Sequence, residues 1–188
     1  MGAIYIYEGF FERGEQGYPL VQTAAAAYAA ERGMELEEEM LTIAKEEKGK
    51  PYFSHCPLEF SLSHSGELWM CLISESRCGL DLQEVKASCD VDQIAARRFT
   101  AGEQHYVSLW GEEGFFDLWV RKEAFCKCTG QGIFTKMPEM VDSEMELLPQ
   151  VIWQDKTYYF QEIQISPEIK CAVCTEGQTE EIEMRLLG

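Results

Sequence analysis

Along most of this chain apolar residues either alternate with polar ones or recur every third and fourth position, and the period assigns the elements. Residues 3–7 read as an opening strand, and Gly14 and Gly17 bracket a polar turn. Residues 20–32 read as a helix rich in alanine that stops at Gly33, and the acidic stretch 35–47 as a second helix. Residues 60–64 alternate as a strand whose end releases a serine and a histidine. Residues 68–74 and 78–83 form two more strands, with 75–77 as their turn. A helix over 90–99 follows. Thr100 and Glu103 then form a capping box that opens another helix through about residue 110. Gly111 and Gly114 separate it from a further helix that ends at Thr129-Gly130. Strands at 151–153, 157–165, 169–175 and 181–187 complete the chain, and no short-period repeat or low-complexity linker interrupts it.

Two places in this pattern carry chemistry. On the helix before Gly130, Trp119, Glu123 and Lys127 share one stripe at i, i+4 and i+8, beside an apolar stripe of Phe116, Val120 and Ala124. One stripe packs and its neighbour is free to react. Taken alone, Glu123 and Lys127 also read as an ordinary ion pair on a solvated helix. The second place is Asp81, which lies between Leu80 and Leu82 and so faces away from both. If that face is core, the carboxylate needs a partner, and a metal ion is a natural one. Gln83 is the next residue on the same strand face.

Composition narrows the field. A chain of 188 residues with 46% hydrophobic and 26% charged residues has the makeup of one folded globular unit. No run of apolar residues is long enough to cross a bilayer, and the N-terminus lacks the basic flank and apolar stretch of a signal peptide. A cytoplasmic protein with eight free thiols is expected. Cys126-x-Cys128 and Cys171-x-x-Cys174 lack the paired spacing of a zinc knuckle. The net charge of -17 argues against nucleic acid as a partner. Against that background Arg121, Lys122, Lys127 and Lys136 form a small basic island with Glu123 inside it.

Read in order, Gly49-Lys50-Pro51, Ser63-His64, Asp81 and Trp119-x-x-Lys122-Glu123-x-x-x-Lys127 resemble the motifs of the 4′-phosphopantetheinyl transferase superfamily, and most closely its surfactin-type branch. The specific match covers about residues 49–136 and continues more loosely through 169–174; residues 1–48 match poorly. The resemblance implies an α/β (α+β) fold of two similar halves related by a pseudo-twofold, 1–77 and 78–188, in one compact unit. It implies Mg²⁺-dependent transfer of 4′-phosphopantetheine from coenzyme A to a serine of an acyl or peptidyl carrier protein, releasing adenosine 3′,5′-bisphosphate. Asp81, Gln83 and Glu123 are then the metal ligands, and Glu123 and Lys127 the catalytic pair. Lys50, Ser63, His64 and Lys122 meet the coenzyme, with His64 on its 3′-phosphate. Two departures favour a rival reading, a non-catalytic coenzyme A or carrier-protein binding module. Gln83 stands where a second acid is common, and the first helix is alanine-rich where basic residues are usual. Without the resemblance, Lys50 is also an exposed turn lysine and His64 a structural hydrogen-bonding residue.

Overall fold

A computed structural model describes residues 1–85, 90–132 and 136–188. Strands β1 (Gly2–Glu8), β4 (Glu59–Ser65), β5 (Leu68–Ser74) and β10 (Ile182–Leu186) form one sheet, in the order β10-β1-β5-β4. Strands β6 (Cys78–Glu84), β7 (Gln150–Trp153), β8 (Lys156–Glu162) and β9 (Ile169–Glu176) form a second, in the order β6-β9-β8-β7. A short hairpin pairs β2 (Ile43–Lys45) with β3 (Pro51–Phe53).

Strand period explains how the sheets stack. Along β1 and β5, Tyr5, Trp69, Cys71 and Ile73 pack against Val21, Ala24 and Tyr28 of α1 (Tyr18–Glu31). The alternate residues Ile4, Met70 and Leu72 turn the other way and meet Leu80, Leu82, Cys171 and Val173 of the second sheet. That sheet's remaining face, with Ala172 and Cys174, packs against Phe116, Val120 and Ala124 of α3 (Ala101–Thr129). The layers thus run helix, sheet, sheet, helix, and Asp81 faces α3 because Leu80 and Leu82 face the first sheet. The small alanines of α1 let that helix lie close on its sheet, since both Ala24 and Ala25 are buried.

The edge strands β4 and β6 face each other where the two sheets meet. Their seam consists of serine hydroxyls: the amides of Leu80, Leu82 and Glu84 donate to Ser61, Ser63 and Ser65 at 2.9, 3.3 and 3.0 Å. Residues 75–77 connect β5 of the first sheet to β6 of the second. β10 nevertheless crosses back to pair parallel with β1, so residues 78–188 do not all belong to the second sheet.

Helix α3 is bent sharply. Glu103 and Lys122 would be about 28 Å apart on a straight helix at 1.5 Å per residue, yet their charged groups meet at 2.8 Å. The turn is at Gly111, whose φ of 62° and ψ of -142° lie where a residue with a Cβ is strained. Thr100 and Glu103 make the expected capping box, Asp90 caps α2 (Val91–Arg98), and Gly130 closes α3 in the left-handed region.

One expected element is absent. Residues 35–47 form a single 3₁₀ turn (Glu38–Leu41) and then β2 instead of a helix. Glu35 and Glu39 would repel one turn apart on a helix, and the β-branched pair Thr42-Ile43 favours extended backbone.

Candidate active site

The site begins with a residue that has no side chain. A Cβ on Gly79 would collide with the backbone carbonyl of Ala124 and the amide of Cys128, so α3 lies directly on β6 at this point. One pleat further along the same strand face, Asp81 meets the helix turn that carries Lys127. Lys127 Nζ donates to Asp81 Oδ1 at 2.7 Å and to the carbonyl of Leu62 at 3.1 Å. Ser63 Oγ donates to the same Oδ1 at 2.8 Å. Asp81 is only 7% exposed, and its Oδ2 takes no hydrogen bond from another described residue.

Glu123 is half-buried one turn before Lys127 and carries no hydrogen bond to another described residue. Burial raises its pKa, the nearby Asp81 carboxylate raises it further, and Lys127 partly opposes both. Glu123 and Lys127 line a cavity of about 460 Å³ together with Lys45, Lys48, Lys50 and Glu15. In a chain of net charge -17 this is a local basic concentration, which suits an anionic ligand. Glu15 holds Lys45 at 2.6 Å across an exposed part of the lining.

The other expected site residues have varied fates. Lys50 lines the cavity but is not the exposed turn lysine of the sequence reading. It is 7% exposed, and its ammonium donates to the carbonyls of Cys78 and Lys127 at 2.9 and 2.8 Å. Those bonds tie the Gly49–Pro51 turn to β6 and to the carbonyl end of α3, where a cation is favoured. Two of the three ammonium protons are thus used among the described residues.

Lys122 does not reach the cavity. Its stripe of α3 turns inward, where Lys122 is 2% exposed and pairs with Glu103 at 0%, beneath the ring of Phe99. Glu103 also accepts from the amides of Met140 and Thr100, so the pair joins both arms of α3 to the segment after it. Its place as a coenzyme contact is therefore corrected: a lysine committed to a fully buried carboxylate is a packing residue.

His64 lies against Phe11, outside the cavity lining, yet close enough to Lys127 and Asp81 to feel both charges. Partial burial lowers its pKa first, and Arg13 and Lys127 lower it further, against a backbone hydrogen bond and the Asp81 charge, which favour the imidazolium more weakly. Gln83 is directly opposite Lys170 on β9, and its amide nitrogen donates to the carbonyl of Glu84 at 3.3 Å.

No group of three or more His, Cys, Asp or Glu side chains suited to a metal occurs among the described residues. Asp81 and Glu123 each keep a carboxylate oxygen that takes no hydrogen bond from another described residue, and the two lie close enough for the Asp81 charge to act on Glu123. That set fits Mg²⁺, which takes one or two carboxylates and completes its shell with water and substrate phosphate. Seven cysteines are free thiols; Cys89 lies outside the described residues.

Sequence reasoning missed three parts of this arrangement. Gly79 looked like an ordinary strand residue, and Glu103 like a cap alone. Arg77 was assigned to a turn, but it caps the end of α3 through the carbonyls of Cys128 and Thr129 and holds Glu46 with both guanidinium nitrogens. For Gly79 a signal was available, since a glycine inside a strand marks a bulge or a close backbone approach.

Comparison with known proteins points the same way. A family model described as the 4′-phosphopantetheinyl transferase superfamily matches residues 77–174. The chain is 35% identical over 104 residues to 4′-phosphopantetheinyl transferase psf-1 of Bacillus pumilus, covering 52% of this chain and 43% of the relative. It is 34% identical over 113 residues to 4′-phosphopantetheinyl transferase HetI of Nostoc, covering 55% and 46%. It is 33% identical over 125 residues to a 4′-phosphopantetheinyl transferase of Bacillus subtilis, covering 62% and 51%. The chain spans about half the length of these curated relatives.

Proposed function

The chain belongs to the 4′-phosphopantetheinyl transferase superfamily, and on that premise we propose that it moves 4′-phosphopantetheine from coenzyme A to a serine hydroxyl of an acyl or peptidyl carrier protein. The observation that supports this reading best is the convergence of Asp81, Glu123 and Lys127, from a strand and a helix, beside a lysine-lined cavity.

Each residue has a task, and Glu123 has two. The pyrophosphate of coenzyme A is drawn into the cavity by Lys45, Lys48 and Lys50. The Glu123 side chain has no competing hydrogen bond among the described residues and takes the proton of the carrier serine. The serine oxygen forms a bond to the phosphorus of the pantetheine-side phosphate as the bond to the bridging oxygen breaks. Adenosine 3′,5′-bisphosphate carries away the electron pair, and Lys127 meets the oxygen that becomes anionic. Asp81 and Glu123 would hold Mg²⁺, which supplies charge neutralisation on the pyrophosphate when bound. Gln83 and His64 flank this centre, the first as a neutral oxygen donor and the second for the 3′-phosphate.

Acyl carrier proteins are typically acidic, so the basic cavity rim is the natural face to receive one. The free thiols among the described residues, all buried but Cys56, suit the reducing cytoplasm, and no helix among those residues is long and apolar enough to cross a membrane. The decisive experiment is mass spectrometry of purified apo-carrier proteins incubated with this protein, coenzyme A and Mg²⁺. A gain equal to one phosphopantetheine arm is expected on at least one carrier. No gain across a broad panel would leave the binding-module reading in its place.

A further inference from the structure

We propose that Ser63 is a positioning residue for Asp81, holding the carboxylate in place while Lys127 serves the phosphate, and not a contact to the coenzyme. The proposal rests on the transferase reading for its purpose and on the serine seam for its geometry. Ser61, Ser63 and Ser65 occupy alternate positions of β4, so all three side chains face β6. Each hydroxyl accepts one amide proton, from Leu80, Leu82 and Glu84 in turn. A hydroxyl that accepts a fixed N–H has its own proton aimed by that bond. At Ser63 that proton goes to Asp81 Oδ1 at 2.8 Å. Ser63 is 6% exposed, so its hydroxyl is held between the strand amide and the carboxylate.

The terminal torsion of an aspartate is otherwise a broad, two-fold rotor. Two donors fix it here, Ser63 and Lys127, both on Oδ1. The work proposed for Lys127 lies on the substrate and would take it from Asp81, whereas Ser63 is anchored on the backbone of β6. When Lys127 turns to an anionic oxygen, Ser63 alone keeps Oδ1 engaged and Oδ2 available. Ser61 and Ser65 make the same seam bond without touching Asp81, so the protein carries its own controls.

The experiment compares side-chain couplings of Asp81, measured by NMR, in Lys127→Met and in Lys127→Met combined with Ser63→Ala, Ser61→Ala or Ser63→Thr. Calorimetry of Mg²⁺ and of coenzyme A is run on the Ser63→Ala and Ser61→Ala single variants, and melting curves confirm that each is folded. With Lys127 gone, Asp81 should keep one rotamer, lose it when Ser63 is also removed, and regain it with threonine. Ser61→Ala should leave it fixed. In the coenzyme complex, Ser63→Ala should weaken Mg²⁺ about tenfold or more beyond Ser61→Ala, with metal-free coenzyme affinity unchanged. A single Asp81 rotamer in the double Lys127, Ser63 variant overturns the proposal. So does a loss of coenzyme affinity with Mg²⁺ affinity equal to that of Ser61→Ala, which would make Ser63 a ligand contact. Should wild-type protein bind neither coenzyme nor Mg²⁺, the transferase reading fails, while the rotamer comparison still decides the role of Ser63.

Discussion

Lys127 Nζ stands 2.7 Å from Asp81 Oδ1, so the group assigned to the leaving oxygen and the group assigned to the metal hold each other. On the proposed reading, metal and lysine would compete for one carboxylate. A pyrophosphate that draws Lys127 away frees Asp81, so coenzyme A and Mg²⁺ should each tighten the other by the same factor. Removing the competitor should expose this. Lys127→Met is expected to raise Mg²⁺ affinity in the absence of coenzyme by roughly tenfold, the equivalent of ~1.4 kcal/mol, a partly exposed pair being worth far less than its bare Coulomb energy. Transfer should fall sharply in the same variant. Calorimetry without coenzyme checks the first outcome; unchanged affinity would mean that Lys127 does not compete with the ion.

Glu123 gives a prediction in pH. Its raised pKa, caused by burial first and by Asp81 second, means that the fold disfavours its charged form. Its contribution to stability is therefore most favourable below the unfolded-state value and declines as pH rises through the raised folded value. As a base it must be ionised, so transfer should rise with pH along a limb centred above the 4.5 of an unperturbed glutamate. Asp81→Asn should shift the Glu123 midpoint down and Lys127→Met should shift it up, each read from the ¹³C carboxyl resonance during a titration. Identical midpoints in all three proteins would show that the two carboxylates do not share a site.

The buried Lys122–Glu103 pair separates packing from binding. Lys122→Met leaves the Glu103 carboxylate at 0% exposure without its counter-ion. Breaking such a pair typically costs about 3–5 kcal/mol, which lowers the melting temperature by roughly 2–4 °C per kcal/mol in a protein of this size. Coenzyme affinity of the folded fraction should be unchanged. A large loss of affinity with normal melting would restore Lys122 to the coenzyme.

How far the sequence led can be judged from such residues. Strand period placed Asp81 opposite Leu80 and Leu82, and helix period placed Glu123 and Lys127 on one stripe; both are local properties of the backbone and hold in the fold. Lys122 was misjudged because charge in a sequence does not reveal which stripe of an amphipathic helix turns inward. Its partner Glu103 is 19 positions away and reaches it only through the turn at Gly111. The serine seam escaped notice for a similar reason. Ser61, Ser63 and Ser65 alternate plainly along the strand, but their partners belong to the edge of a different sheet.

Gln83 tests where the site ends. On β6 it shares the face of Asp81 two residues on, roughly 6.6 Å along the strand, and a carboxylate there would add a third anion for Mg²⁺. It is also directly opposite Lys170, whose ammonium already serves Asp117 at 3.0 Å and Glu113 at 3.8 Å. Directly paired residues of opposite charge attract across a sheet, so a glutamate at 83 would be drawn both to the ion and to Lys170. Gln83→Glu should therefore raise Mg²⁺ affinity without coenzyme only modestly. Gln83→Glu with Lys170→Met should raise it further, while Lys170→Met alone should have little effect because Gln83 is neutral. The ordering of the three affinities by calorimetry is the test. If the double variant binds Mg²⁺ no better than wild type, position 83 does not face the ion, and the metal site of this chain consists of Asp81 and Glu123 alone.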